Sequence, residues 1–172
     1  MPLTLWGNPI LELPTAPLTD ADFGADLVEL ADRMLKVMYA AHGVGLAGPQ
    51  VGIGKRFFVY DCEGQRGLLA NPVIVERSHD LSEDHEGCLS VPGFAWPTPR
   101  ASRVVIEGRD AHGEHVSFAS TGYLARCMQH ETDHVDGQLY LSRLGGRVGK
   151  LARREAKQAG WYGDPDRFIP ID

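Results

Sequence analysis

The stretch from Tyr123 to Asp136 reads as a single helix and constrains everything around it. Ser120 or Thr121 can start it and Gly137 ends it, a polar start and a glycine stop. Apolar residues (Leu124, Ala125, Cys127, Met128, Val135) fall on more than one face, so the helix must be covered on several sides. Yet the same turns carry His130-Glu131-Thr132-Asp133-His134. Buried polar groups need partners. The chain is therefore expected to pack antiparallel strands around a central helix that carries this motif, with a C-terminal helix, and Asp133 is read as orienting an imidazole or equally as a surface or ion-pair residue.

Residues four apart on a helix stack on one face, so both imidazoles can reach one divalent ion. Glu131, beside the first imidazole, can address water on that ion as a general base. Two histidines leave a catalytic site incomplete, because three protein ligands and one open position are usual. Tyr140 stands where a further histidine would complete one such pattern. Glu155, the only glutamate downstream, sits among Arg153, Arg154 and Lys157 and reads as an ion-pair partner. An upstream ligand fits better. Cys88, in Glu86-Gly87-Cys88-Leu89-Ser90, offers a soft thiolate, with His79, His85 and Cys127 as competitors.

The rest of the chain reads as α+β. Pro2, Pro9, Pro14 and Pro17 keep the first eighteen residues extended. A helix is expected from Thr19 or Asp20 to Gly43, with Leu27, Leu30, Ala31, Met34, Met38 and Ala41 on one face. Gly43 to Gly54, rich in glycine, is expected to be a loop that approaches something closely. Phe57–Tyr60 and Leu68–Val75 read as strands around Glu63-Gly64, and Glu76 to Glu86 as a polar stretch. Val104–Gly108 and His115–Phe118 read as a strand pair about the turn at Asp110–Gly113. A basic helix is expected from Val148 to Gly160, and a mobile tail from Trp161.

The length of 172 residues suits one domain, taken as residues 1–160. A net charge of −6 argues against a protein that coats DNA. Apolar runs fall far short of the roughly 20 residues that span a bilayer, and the N-terminus lacks the marks of a signal peptide. Three cysteines leave at least one thiol unpaired, which suits a reducing cytoplasm.

Three separated motifs bring a resemblance into view. Gly43-Val44-Gly45-Leu46-Ala47-Gly48-Pro49-Gln50, Glu86-Gly87-Cys88-Leu89-Ser90 and Gln129-His130-Glu131-Thr132-Asp133-His134 stand in the order and spacing of the peptide deformylases. The resemblance covers nearly the whole chain. It implies one divalent metal ion on Cys88, His130 and His134, with Glu131 as acid and base. The family's native ion is often ferrous iron, and zinc, nickel or cobalt are accepted by such donors. The implied substrate is the formylmethionyl end of a new polypeptide, from which formate is released.

The chemistry of the residues agrees with that implication. A metal ion acidifies the water it holds, so hydroxide can attack an amide carbonyl at neutral pH. One carboxylate, Glu131, can then take a proton and return it to the departing amine. By resemblance, the Gln50 side chain and the Leu89 backbone N–H stabilise the oxyanion, and the Gly45 carbonyl meets the substrate amide. Val44, Tyr123 and Cys127 are the expected walls of an apolar slot for methionine. Well-known members place an arginine around Ala95, and this chain has none there.

Two other readings share these residues: a zinc endopeptidase, or a non-catalytic metal-binding protein of the same fold. Binding alone needs neither Glu131 nor Gln50. Six basic residues between Arg143 and Lys157 face one acidic residue, Glu155. Such a cluster suggests docking on something anionic, ribosomal RNA by resemblance, or else a solvated basic face.

Overall fold

The computed structural model describes residues 1–164 and 168–169. Strand β1 (Leu3–Thr4) leads into helix α1 (Ala25–Ala40) and strands β2 (Gly45–Ala47), β3 (Phe57–Cys62) and β4 (Gln65–Arg77). A hairpin of β5 (Leu81–Cys88) and β6 (Val91–Ala101) follows, then β7 (Arg103–Arg109), β8 (His115–Thr121) and helix α2 (Gly122–Val135). A 3-10 turn at Tyr140–Arg143, helix α3 (Gly146–Lys157) and β9 (Phe168–Ile169) complete the order. The main sheet runs β2-β3-β4-β7-β8 and is antiparallel throughout. The chain is α+β.

Helix α2 is the hub. Every residue from Leu124 to Val135 is buried. Its apolar side packs on the sheet, with Leu124, Ala125 and Met128 beside Phe58, Leu69, Val104 and Ile106. Helix α1 packs Leu27, Met34 and Met38 into a second cluster with Leu46, Phe57 and Val59. A third cluster joins Trp6 and Val91 to Tyr140, Leu141, Leu144, Ala152 and Ala156.

Three local expectations are corrected. Helix α1 begins at Ala25 rather than at Thr19 or Asp20, because Asp22 closes a separate turn by accepting the Thr19 N–H, and Gly24 then turns the chain at φ 130°. The glycine-rich loop contains strand β2 and a 3-10 turn at Gly48–Val51, buried throughout. The polar stretch from Glu76 to Glu86 is ordered: β4 runs on to Arg77, and β5 pairs with β6 from Leu81↔Ala101 to Gly87↔Ala95. The hairpin buries the polar residues Glu86, Thr98 and Arg100, so the hydrophobic period that announces a strand is broken.

The C-terminal region is tied to the body. Gly149 of α3 approaches so closely that a Cβ there would overlap the Leu144 carbonyl. Arg153 Nη1 donates to the carbonyls of Leu141 (2.8 Å) and Leu144 (3.3 Å). Within the expected tail, Trp161 and Tyr162 pack on the third cluster, and Phe168–Ile169 pairs with Leu3–Thr4. Residues 165–167 and 170–172 of that tail lie outside the described residues. Among the described residues no helix is long and apolar enough to cross a membrane.

Candidate metal centre

Strand β5 delivers Cys88 to the face of α2 that carries both imidazoles. Ligand atoms of Cys88, His130 and His134 all lie within 4.8 Å of one another, and Cys88 Sγ is 3.2 Å from His134 Nε2. His130 Nδ1 is 2.5 Å from Glu86 Oε1, which leaves Nε2 available as a ligand nitrogen. Burial opposes a charge on His130, but hydrogen bonds to Cys88 and Glu86 outweigh it and hold its pKa well above that of a free imidazole. His134, buried and beside His130, is pushed the other way. One sulfur from half-buried Cys88 and two nitrogens from buried imidazoles, with a carboxylate behind one imidazole, fit a divalent transition metal.

The carboxylate that meets an imidazole is Glu86. Asp133 instead accepts from Arg100 Nη1 at 2.6 Å and from Arg143 Nε at 3.0 Å and Nη2. Arg100 also grips Glu86, Nη2 to Oε1 at 2.6 Å and Nε to Oε2 at 3.0 Å. Arg126 donates to the same carboxylate at 2.9 Å and to the Thr98 carbonyl at 2.7 Å. Burial alone would raise the Glu86 carboxyl, but His130 and Arg100 hold it well below the usual range. Sequence reasoning missed Glu86, Arg100, Arg126 and Arg143 as members of the site. The one available signal was an arginine in the middle of a helix already argued to be buried.

Glu131 is packed edge-on against the Gly45 backbone, where any Cβ would collide with its carboxylate. Its Oε2 has no hydrogen-bond partner among the described residues. Desolvation raises its pKa to about 7, the range suited to exchanging protons near neutrality. Gln50 is clamped: Oε1 accepts the Ala47 N–H at 2.9 Å, so Nε2 is turned to Ser90 Oγ (3.2 Å) and Cys88 Sγ (3.7 Å).

These groups border a cavity of about 690 Å³. Cys88, His130, Glu131, Gly45 and Gln50 form one wall, and His134 lies beyond the lining. Val44, Leu89, Tyr123 and Cys127 line it too. Tyr123 is half exposed, whereas Cys127 is buried with its thiol toward the Val44 carbonyl at 3.7 Å. Of the ligand competitors named from sequence, His85 borders the cavity, while His79 and Glu155 do not.

Comparison with known proteins agrees across the chain. The polypeptide deformylase family model matches residues 1–148. The peptide deformylase of Mycolicibacterium paratuberculosis is 47% identical over 176 residues, covering 94% of this chain and 89% of that protein. That of Acidothermus cellulolyticus is 43% identical, with 96% and 91% covered. The crystal structure of peptide deformylase from Thermus thermophilus superposes with a TM-score of 0.83 at 40% identity, covering 92% of this chain and 93% of that one. The structure from Thermotoga maritima gives 0.80 at 37% identity, covering 84% and 97%. On sequence and structure alike, the chain belongs to the peptide deformylase family.

Proposed function

We propose that Cys88, His130 and His134 hold one divalent metal ion and that Glu131 moves the protons of the reaction. The enzyme removes the N-formyl group from new polypeptides, and formylmethionine is the terminus this site is built to take. The observation that carries the reading is the convergence of the three ligand atoms within 4.8 Å, next to the buried carboxylate of Glu131. A bound ion supplies Lewis acidity and an acidified water. Ferrous iron is the proposed resident, and zinc, nickel or cobalt suit the same donors.

The remaining chemistry belongs to side chains and backbone. Glu131 Oε2, with no hydrogen-bond partner among the described residues, accepts the proton of the attacking water and returns it to the amine as the C–N bond breaks. Formate and a free α-amine leave. Gln50 Nε2, fixed by the Ala47 clamp, and the Leu89 N–H donate to the oxyanion; losing one such donor costs about 3–4 kcal/mol of transition-state stabilisation. The Gly45 carbonyl receives the substrate N–H, and Val44, Tyr123 and Cys127 enclose the methionine side chain.

A cytoplasmic enzyme meeting emerging chains also has a use for α3. Arg147, Lys150 and Arg154 are exposed and form no ion pair among the described residues, which leaves them available for ribosomal phosphates. Three of the six basic residues are occupied: Arg143 on Asp133, Arg153 on the Leu141 and Leu144 carbonyls, Lys157 over the Trp6 and Tyr162 rings.

The test is metal analysis of oxygen-free preparations beside turnover of a formylmethionyl peptide. Cys88→Ala is expected to lose the metal and nearly all activity, whereas Cys62→Ala and Cys127→Ala keep the metal. Full metal content in Cys88→Ala would sink the ligand assignment. Cleavage of internal peptide bonds would favour the endopeptidase reading.

A further inference from the structure

The short turn at Tyr140–Arg143 touches the metal centre from two directions. The Tyr140 ring stacks over His130, centroids 6.2 Å apart at 25°. Arg143 reaches Asp133, which lies on the same helix as both imidazoles. From there the contacts are unbroken: Asp133 to Arg100, Arg100 to Glu86, Glu86 to His130 Nδ1. We propose that Arg143 is a positioning residue for the ligand His130, acting by deciding how Arg100 is shared between Asp133 and Glu86.

The argument is one of supply and demand among buried donors. Asp133 is 6% exposed and Arg143 42% exposed, so the pair joins the surface to the interior. Arg143 supplies two of the three side-chain N–H groups on Asp133, and Arg100 the third. A buried carboxylate short of donors is costly and draws in whatever cation is nearest. Here that is Arg100. Any shift of Arg100 toward Asp133 withdraws Nε and Nη2 from Glu86, which then holds the imidazole less rigidly. Partners standing behind a metal-bound histidine are typically worth about 10–100-fold in metal affinity or activity.

Helix α3 sets the position of Arg143 in turn. The Gly149 approach and the two Arg153 hydrogen bonds pin the turn at Leu141 and Leu144, on either side of Arg143. The metal site is thus braced by an element that contributes no atom to it.

This proposal rests on the ligand assignment above, and the test separates the two. Zinc-loaded Arg143→Ala, Arg143→Lys, Arg56→Ala and Cys88→Ala proteins are challenged with a chromogenic chelator, and the cobalt-loaded forms are compared by absorption. Arg56 pairs with Asp136 at the end of the same helix without joining the network, so Arg56→Ala controls for loss of a helix-end ion pair. Arg143→Ala is expected to release zinc about tenfold faster, to shift the cobalt bands, and to lower kcat with little change in KM. Arg143→Lys recovers part of each change. Arg153→Met, which loosens the turn while keeping Arg143, gives a smaller change of the same sign and serves if Arg143→Ala does not fold. Zinc release by Arg143→Ala or Arg153→Met no faster than by Arg56→Ala overturns the proposal. Retention of zinc by Cys88→Ala would instead overturn the ligand assignment.

Discussion

Gly45 and Glu131 are in backbone-to-carboxylate contact: a methyl group at position 45 would fall within 2.7 Å of Glu131 Cδ and 2.8 Å of its Cγ. No side chain larger than hydrogen leaves the carboxylate where it is. The glycine therefore makes the room that the Glu131 carboxylate occupies. Gly45→Ala is expected to bind metal normally yet lose activity by about a hundredfold, the scale of general acid–base catalysis. Metal content and turnover measured on one preparation check this. Near-normal turnover would mean that Glu131 has room to spare.

Glu131→Gln removes the base and keeps the shape. We expect a folded, metal-loaded protein with turnover down at least about a hundredfold. Stability of the metal-free protein supplies an independent reading. Burial raises the Glu131 carboxyl to about 7, above its ordinary 4.5, so its contribution is intact below 4.5 and is lost as pH rises through 7. Across that window metal-free wild type should lose on the order of 3 kcal/mol relative to metal-free Glu131→Gln. Parallel denaturant midpoints against pH for the two proteins would refute this.

Arg100 sits between two buried carboxylates and is itself 4% exposed. Arg100→Met should destabilise the fold by about 3 kcal/mol, as when one partner of a buried pair is removed. A loss below about 1 kcal/mol would put the pair in the class of surface ion pairs. Glu86 titrates with the opposite sign to Glu131. Its carboxyl is held low, so its stabilisation is present above 4.5 and drains away as pH falls below that value. Urea midpoints from pH 3 to 6 test the sign.

Docking through α3 predicts a salt-sensitive association. Reversing the charge of Arg147, Lys150 and Arg154 together should abolish ribosome co-sedimentation at low salt while leaving turnover of a short formyl peptide unchanged. These three lie clear of the Arg153 and Gly149 contacts, so the helix stays docked. Equal co-sedimentation of both proteins, or none by either, retires the idea.

The helix that carries the imidazoles was legible because a polar start and a glycine stop bound it and its two histidines stand four residues apart, and Cys88 stood out because few residues offer a thiolate. Strand β5 and its partner β6 were not. Their inward positions hold Glu86, Thr98 and Arg100, which look like surface residues until their partners are known. The partners of Asp133 were hidden for the same reason: the arginines that claim it come from positions 100 and 143. Periodicity reports which face is apolar. It is silent about a polar interior built from distant segments.

That interior ties the fate of the metal to the fate of the fold. Glu86 meets its arginines across 14 and 40 residues of sequence, and Arg100 meets Asp133 across 33. No fragment of the chain holds the set, so a partly folded form has no ligand sphere worth occupying. The ligand sphere is therefore complete only in the folded chain. A tightly held ion then acts as a thermodynamic weight on the native state alone, deepening its stability with each decade of free metal above the dissociation constant.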